Sequence, residues 1–99
     1  MQQVELKLDD NDRGTFYISD GNENVAAMEI SVSGKTLTVY HTEVAPEAEG
    51  QGLARMLLEA MVEHARLNQL QVNPLCSYVQ VQFRRHPGDY ADVWKQPAP

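Results

Sequence analysis

The spacing of apolar residues changes period once along this chain, and that change limits what it can fold into. Before Glu43 the apolar positions recur every second residue. After Gly52 they recur at the three- and four-residue spacing of a helix. Val4, Leu6 and Leu8 alternate with Glu5 and Lys7, the pattern of a half-buried strand. Asp9 to Gly14 is turn chemistry throughout, and Thr15-Phe16-Tyr17-Ile18 is β-branched and aromatic, a second strand. Asp20-Gly21-Asn22 reads as a hairpin turn. A third strand follows from Val25 to Val32, with Ala26, Met28, Ile30 and Val32 on one face. Ser33-Gly34-Lys35 turns the chain into a fourth strand, Thr36 to Thr42. Connections this short imply an antiparallel meander.

Beyond the breaker-rich segment Ala45 to Gly52, the residues Ala54, Leu57, Leu58, Met61 and Ala65 make one helical stripe. Arg55, Glu59, Glu63 and Arg66 lie on its other side. The helix is expected over Gly52 to Asn68. Leu70-Gln71-Val72 is a short fifth strand, parallel to the fourth because a helix crosses between them. Ser77 reads as the N-cap of a second helix, Tyr78 to His86, which Pro87-Gly88 ends. Tyr90, Ala91, Val93 and Trp94 then pack a last segment on the body, and residues 95–99 fray. The expectation is one domain, 1–99, of the α+β (α/β) class. Its sheet is five-stranded, mixed and mainly antiparallel, with two helices in the order β-β-β-β-α-β-α.

Composition excludes several classes. No apolar run approaches the roughly 20 residues that span a bilayer, and the N-terminus lacks signal-peptide character, so no membrane role is expected. A single cysteine, Cys76, rules out an internal disulfide and a cysteine-rich metal site. His41, His64 and His86 share no metal-ligand spacing, so no metal is expected. The reading is cytoplasmic. A net charge of −6 gives no basic footprint for nucleic acid. The pair Arg84-Arg85 has its plain explanation as a solvated helix end.

The most informative stretch is Gly50-Gln51-Gly52-Leu53-Ala54, between a strand and a helix start. Glycines there let backbone approach a ligand. The first helical N–H groups lack internal partners and carry partial positive charge, so the usual guest is phosphate. No Gly-Lys-Ser/Thr follows, which excludes a Walker loop, and the third glycine of a dinucleotide fingerprint is missing. The plain alternative is a glycine-rich helix entry with no ligand.

The loop Glu49-Gly50-Gln51-Gly52-Leu53-Ala54 resembles the acetyl-coenzyme A pyrophosphate loop of the GCN5-related N-acetyltransferases, whose pattern is Arg/Gln-x-x-Gly-x-Gly/Ala. His41-Thr42-Glu43-Val44 before it and Pro74-Leu75-Cys76-Ser77-Tyr78 through His86-Pro87 after it extend the resemblance over nearly the whole chain. It is nearest to the very small, YjdJ-like branch. The resemblance implies a minimal acyl-CoA N-acyltransferase fold and transfer of acetyl from acetyl-coenzyme A, the cosubstrate, to an unidentified amine. Backbone amides of Gly50, Gln51, Gly52, Leu53 and Ala54 would hold the pyrophosphate. Glu43, Val44 and Ala45 would pair with the pantetheine arm in the cleft where the fourth and fifth strands splay. Glu49 departs from the pattern's Arg or Gln, and a carboxylate beside a pyrophosphate is unfavourable unless it points away. The elements that shape the acceptor pocket in larger relatives are missing from the pattern. The acceptor site is therefore open or completed by a partner, and the oligomeric state is left open.

Two side chains are catalytic candidates. Cys76 precedes a helix whose N-terminus would favour a thiolate, and near the thioester it could accept acetyl and pass it on. Its plain alternative is a buried structural thiol. His41 could take the proton of an amine. Alternation instead places it on the face of Leu37 and Val39, as a core histidine. Tyr78 and Tyr90 could protonate a leaving thiolate, or belong to the core. Two rival functions stand beside the transferase: a coenzyme A-binding module without significant catalysis, and a protein-interaction domain that keeps the fold.

Overall fold

The computed structural model describes residues 3–95; positions 96–99, most of the tail expected to fray, lie outside it. Strands β1 (Val4–Leu8), β2 (Arg13–Asp20), β3 (Glu23–Ser33) and β4 (Thr36–Val44) pair antiparallel in sequence order. The Asp9 carboxylate closes the first turn by accepting the N–H groups of Asn11 at 2.8 Å and Arg13 at 3.0 Å. Helix α1 (Leu53–Leu67) then crosses to β5 (Gln71–Pro74), which pairs parallel with β4. The sheet order is β1-β2-β3-β4-β5, with α2 (Ser77–Arg85) following.

Several boundaries differ from expectation for local reasons. Cys76, not Ser77, is the N-cap residue of α2, with extended φ −75° and ψ 128°. Strand β5 continues to Pro74, because nothing at that last pair with Val39 requires a proline N–H. Two helices were expected, yet a third, α3 (Pro87–Tyr90), follows at once. Proline's missing N–H ends α2, while its fixed φ suits the first position of a new turn. The last segment packs back as expected. Val72 donates its N–H to the Val93 carbonyl at 2.6 Å and accepts that of Lys95 at 2.9 Å.

One face of the sheet is buried and the other is not. Phe16, Ile18, Ala26, Met28, Ile30, Leu37, Val39 and Val72 form the inner face. Leu57, Leu58, Met61 and Ala65 of α1 and Val79 and Phe83 of α2 close over it in one cluster. The Phe83 ring stacks on Tyr90 with centroids 4.8 Å apart and tilts against Trp94 at 5.6 Å. The outer face carries Glu5, Lys7, Arg13, Thr15, Tyr17, Glu29 and Ser31, all exposed or half-buried. Burying one face only is what the alternating pattern of β2 and β3 dictates.

The alternation breaks in β4. Glu29 pairs with His41 while Ile30 pairs with Val39, so Tyr40 is an extra, unopposed residue. The bulge turns His41 onto the outer face, in register with Glu29, with its side chain 59% exposed. The core-histidine alternative, read from unbroken alternation, is thereby corrected.

Candidate functional site

Strands β4 and β5 part at Val39. Its carbonyl accepts both the Leu75 N–H at 2.9 Å and the Cys76 N–H at 3.0 Å, the last links before β5 leaves the sheet. Gln80 of α2 donates its side-chain N–H to the Pro74 carbonyl at 2.9 Å, pinning the departing chain to the helix. Beyond this point β4 runs on to Val44 with β3 on one side and, among the described residues, no strand on the other. The Ala45 N–H bonds to the Val25 carbonyl at 2.8 Å. Alternation therefore turns the peptide groups of Thr42 and Val44 toward the open edge.

The open edge leads into the glycine loop. Ala45 starts a single 3-10 turn, Pro46–Ala48, anchored by the buried Ala48. Gly50 has φ +85° and Gly52 φ +75°, left-handed conformations that other residues adopt only with strain. A Cβ at either would touch nothing within 4 Å, so conformation, not space, demands glycine. Gly52 caps α1 without any side-chain bond, and its carbonyl takes the Met56 N–H at 3.1 Å. The N–H groups of Leu53, Ala54 and Arg55 therefore have no helical acceptor. The first turn holds no acidic residue, and Arg55 lies within it. Glu49, just before, is exposed.

The two catalytic candidates are separated. The Cys76 thiol, buried at 7%, donates to the Thr42 hydroxyl at 3.4 Å. Thr42 pairs with the core residue Met28, so this contact lies on the inner side of the sheet. His41 lies on the outer side, with Nε2 3.6 Å from Glu43 Oε2. The structure thus gives Cys76 a hydroxyl partner, not an imidazole. Glu43, Val44 and Ala45 run on into residues 50–54, but the Ala45 N–H is taken by Val25 and alternation turns Glu43 to β3 as well, so of these three only Val44 turns its peptide groups to the open edge.

Tyr78 and Tyr90 divide in the same way. Tyr90 is buried against Phe83. Tyr78, in the first turn of α2, is half-buried, and burial raises its phenol above the ordinary value despite the opposing charge of Arg55. It remains a proton donor at neutral pH. The i,i+4 pair of Arg55 with Glu59 forms at 3.0 Å, as its spacing implied, whereas the contact of Thr42 with Cys76 and the charge of Arg55 acting on Tyr78 were missed by sequence reasoning. Thr42 adjoins His41 and could have been flagged as a neighbour, whereas the approach of α2 to Arg55 has no local signal. Among the described residues no group of side chains could hold a metal ion, and no helix is long and apolar enough to cross a membrane.

The family model for GCN5-related N-acetyl-transferase matches residues 15–93. A GCN5-like protein from Staphylococcus aureus, solved by NMR, is 33% identical with a TM-score of 0.70, covering 99% of this chain and 94% of its own. Ribosomal-protein-alanine N-acetyltransferase from Brucella melitensis biovar Abortus 2308 has a TM-score of 0.64 at 13% identity, over 91% of this chain and 67% of its own. Ribosomal-protein-S18-alanine N-acetyltransferase from Escherichia coli has a TM-score of 0.59 at 20% identity, over 65% and 42%. These two share the fold, and the chain spans less than half the length of the latter. No curated protein matches the chain significantly.

Proposed function

Because the chain belongs to the GCN5-related N-acetyltransferase family, whose members use acetyl-coenzyme A, we propose that it transfers acetyl to an amine at the open edge of β4. The carrying observation is the parting of β4 and β5 at Val39, which leaves peptide groups unpaired beside an uncapped helix start. The amides of residues 50–54 would hold the pyrophosphate, with the helix N-terminus adding partial positive charge. The peptide groups of Thr42 and Val44, within the segment ending at Ala45, would pair with the pantetheine arm. When bound, the coenzyme supplies an activated acyl group and a thiolate leaving group. His41, exposed on the outer side of the edge, accepts the proton of the amine, and Glu43 orients the imidazole. Tyr78 stands as proton donor to the departing thiolate. The motif resemblance supports the YjdJ-like branch, and a single unpaired cysteine suits the cytoplasm.

Direct attack by the amine is the first reading, because the hydrogen-bond partner of the Cys76 thiol among the described residues is the Thr42 hydroxyl and not a base. Passage through Cys76 is the second, favoured by its position at the N-cap of α2 beside the same edge.

Thermal unfolding with and without acetyl-coenzyme A tests the site. Ligand at 100 times its Kd should add about 2.7 kcal/mol. That raises Tm by roughly 4–8 °C for each kcal/mol in a chain this small. Gly52→Glu puts a carboxylate where the pyrophosphate lies, so its ligand-induced shift should vanish, measured against its own baseline. Gly52→Asn, which tolerates the left-handed conformation, should keep the shift. No shift in the parent at millimolar ligand would leave the interaction-domain reading.

A further inference from the structure

The uncovered outer face of the sheet, next to the proposed transfer point, carries an ordered row of charge. Lys7, Thr15, Glu29 and His41 stand directly opposite one another across β1, β2, β3 and β4. Arg13 lies one step along β2, its guanidinium 4.5 Å above the Tyr40 ring. The Tyr40 hydroxyl is fixed by Ser31 at 2.7 Å. A concavity of ≈ 320 Å³ opens here, lined by Lys7, Asp9, Arg13, Gly14, Thr15 and Glu29. The ion pairs among the described residues are His41–Glu43, Arg55–Glu59 and Arg66–Asp92, so Lys7, Arg13 and Glu29 have none. The Asp9 carboxylate is already engaged by the turn amides.

The unpaired cations Lys7 and Arg13 stand on β1 and β2, with Glu5 one same-face step from Lys7 and the Arg13 guanidinium reaching the Tyr40 ring, whereas Glu29, Glu43 and His41 stand on β3 and β4. Two strand spacings separate Glu29 from Lys7, about 10 Å. Resting on the transferase reading above, we infer that the acceptor is a primary amine carrying its own carboxylate about 10 Å from the nitrogen, such as a short peptide. Its ammonium group would lie on Glu29, facing His41 across the β3–β4 pair. Its carboxylate would lie on Lys7 and Arg13. Three extended residues span about 10 Å, which matches the row. On transfer the amine nitrogen forms the new bond to the acyl carbon as the carbon–sulfur bond breaks. The ammonium first gives one proton to solvent through His41, the amine's second proton passes to His41 as the bond forms, and the coenzyme thiolate takes a proton from Tyr78, which solvent replaces, and leaves as the thiol.

The test is an NMR titration of ¹⁵N-labelled protein with triglycine and with triglycine amide, without coenzyme, beside the acetyl-coenzyme A thermal shift. Triglycine should move the amide signals of Lys7, Arg13, Thr15 and Glu29 saturably and bind at least about tenfold more tightly than the amide. The double variant Lys7→Gln/Arg13→Gln, checked for unchanged Tm, should bind both peptides alike. Equal binding of the two by the parent, or no perturbation of this face at millimolar triglycine, overturns the inference. The thermal shift reads the coenzyme site separately, so either can fail while the other stands.

Discussion

At the scale of single residues, β4 places chemically different groups on its two sides at adjacent positions. The bulge at Tyr40 sends His41 outward and leaves Thr42 inward, against the Cys76 thiol. One strand thus separates an exposed imidazole from a thiol packed in the core. If His41 is the base, His41→Gln should lower kcat by about 10²–10⁴-fold, the usual worth of general base catalysis, with little change in the KM for coenzyme. If transfer is direct, Cys76→Ala should change turnover by less than about tenfold, or about 1.4 kcal/mol. Intact mass of the parent after incubation with acetyl-coenzyme A should show no stable acetyl adduct. Loss of turnover in Cys76→Ala, together with an adduct in the parent, would instead establish passage through the thiol. The variant's own Tm separates this from misfolding, since the lost burial is that of one small side chain.

At the scale of elements, much of this arrangement was legible because local chemistry decided it. The turn residues, the alternation in β2 and β3, and the stripe of α1 place those elements within a residue or two of the described boundaries. Gly52 and Asn68, the expected ends of the long helix, are its caps. The legible part of the site is likewise local: a glycine loop at a helix start. What was not legible depends on partners distant in sequence. The side taken by His41 depends on a bulge specified by pairing with β3. The partner of Cys76 lies 34 residues away. The turn of α3 is secured by Arg66 on α1, which donates to Asp92 at 2.7 and 3.1 Å and to the Asp89 carbonyl at 2.6 Å. This clamp predicts a pH dependence. The hydrogen bond from Arg66 holds the Asp92 carboxyl below its ordinary value. A depressed folded value means the stabilisation is present above the unfolded carboxyl's value, about 3.9, and is lost as pH falls through the lower folded one. The pair is exposed, 46% and 56%, so Asp92→Asn should cost under about 1 kcal/mol at pH 7. In urea titrations at stepped pH, the gap between parent and variant should close below about pH 4. A gap that persists there would assign the effect to packing rather than to charge.

At the scale of the whole molecule, one core has to hold every element, because the outer face of the sheet contributes nothing to it. The C-terminal segment is the part most open to separate loss, since among the described residues it joins the sheet through Val72 and the Lys95–Thr36 side-chain bond and rests on Phe83 and Tyr90. Yet those contacts are continuous with the centre. Phe83 and Val72 are fully buried in the same cluster as Leu57 and Met61. Removing the segment would expose both, and burying one such side chain is worth about 1.5–3 kcal/mol. That is a large share of the margin of a small domain. The segment should therefore unfold with the rest and not before it. Trp94 is the chain's single tryptophan and packs on Phe83, so its fluorescence reports this segment alone. Far-UV circular dichroism reports the sheet and helices together. In urea the two transitions should coincide, with one midpoint and one slope. Phe83→Ala, which removes the shared contact at a cost of about 3–5 kcal/mol, should lower both midpoints together. An earlier fluorescence transition in the parent would make the segment an independent unit, and with it the clamp from Arg66.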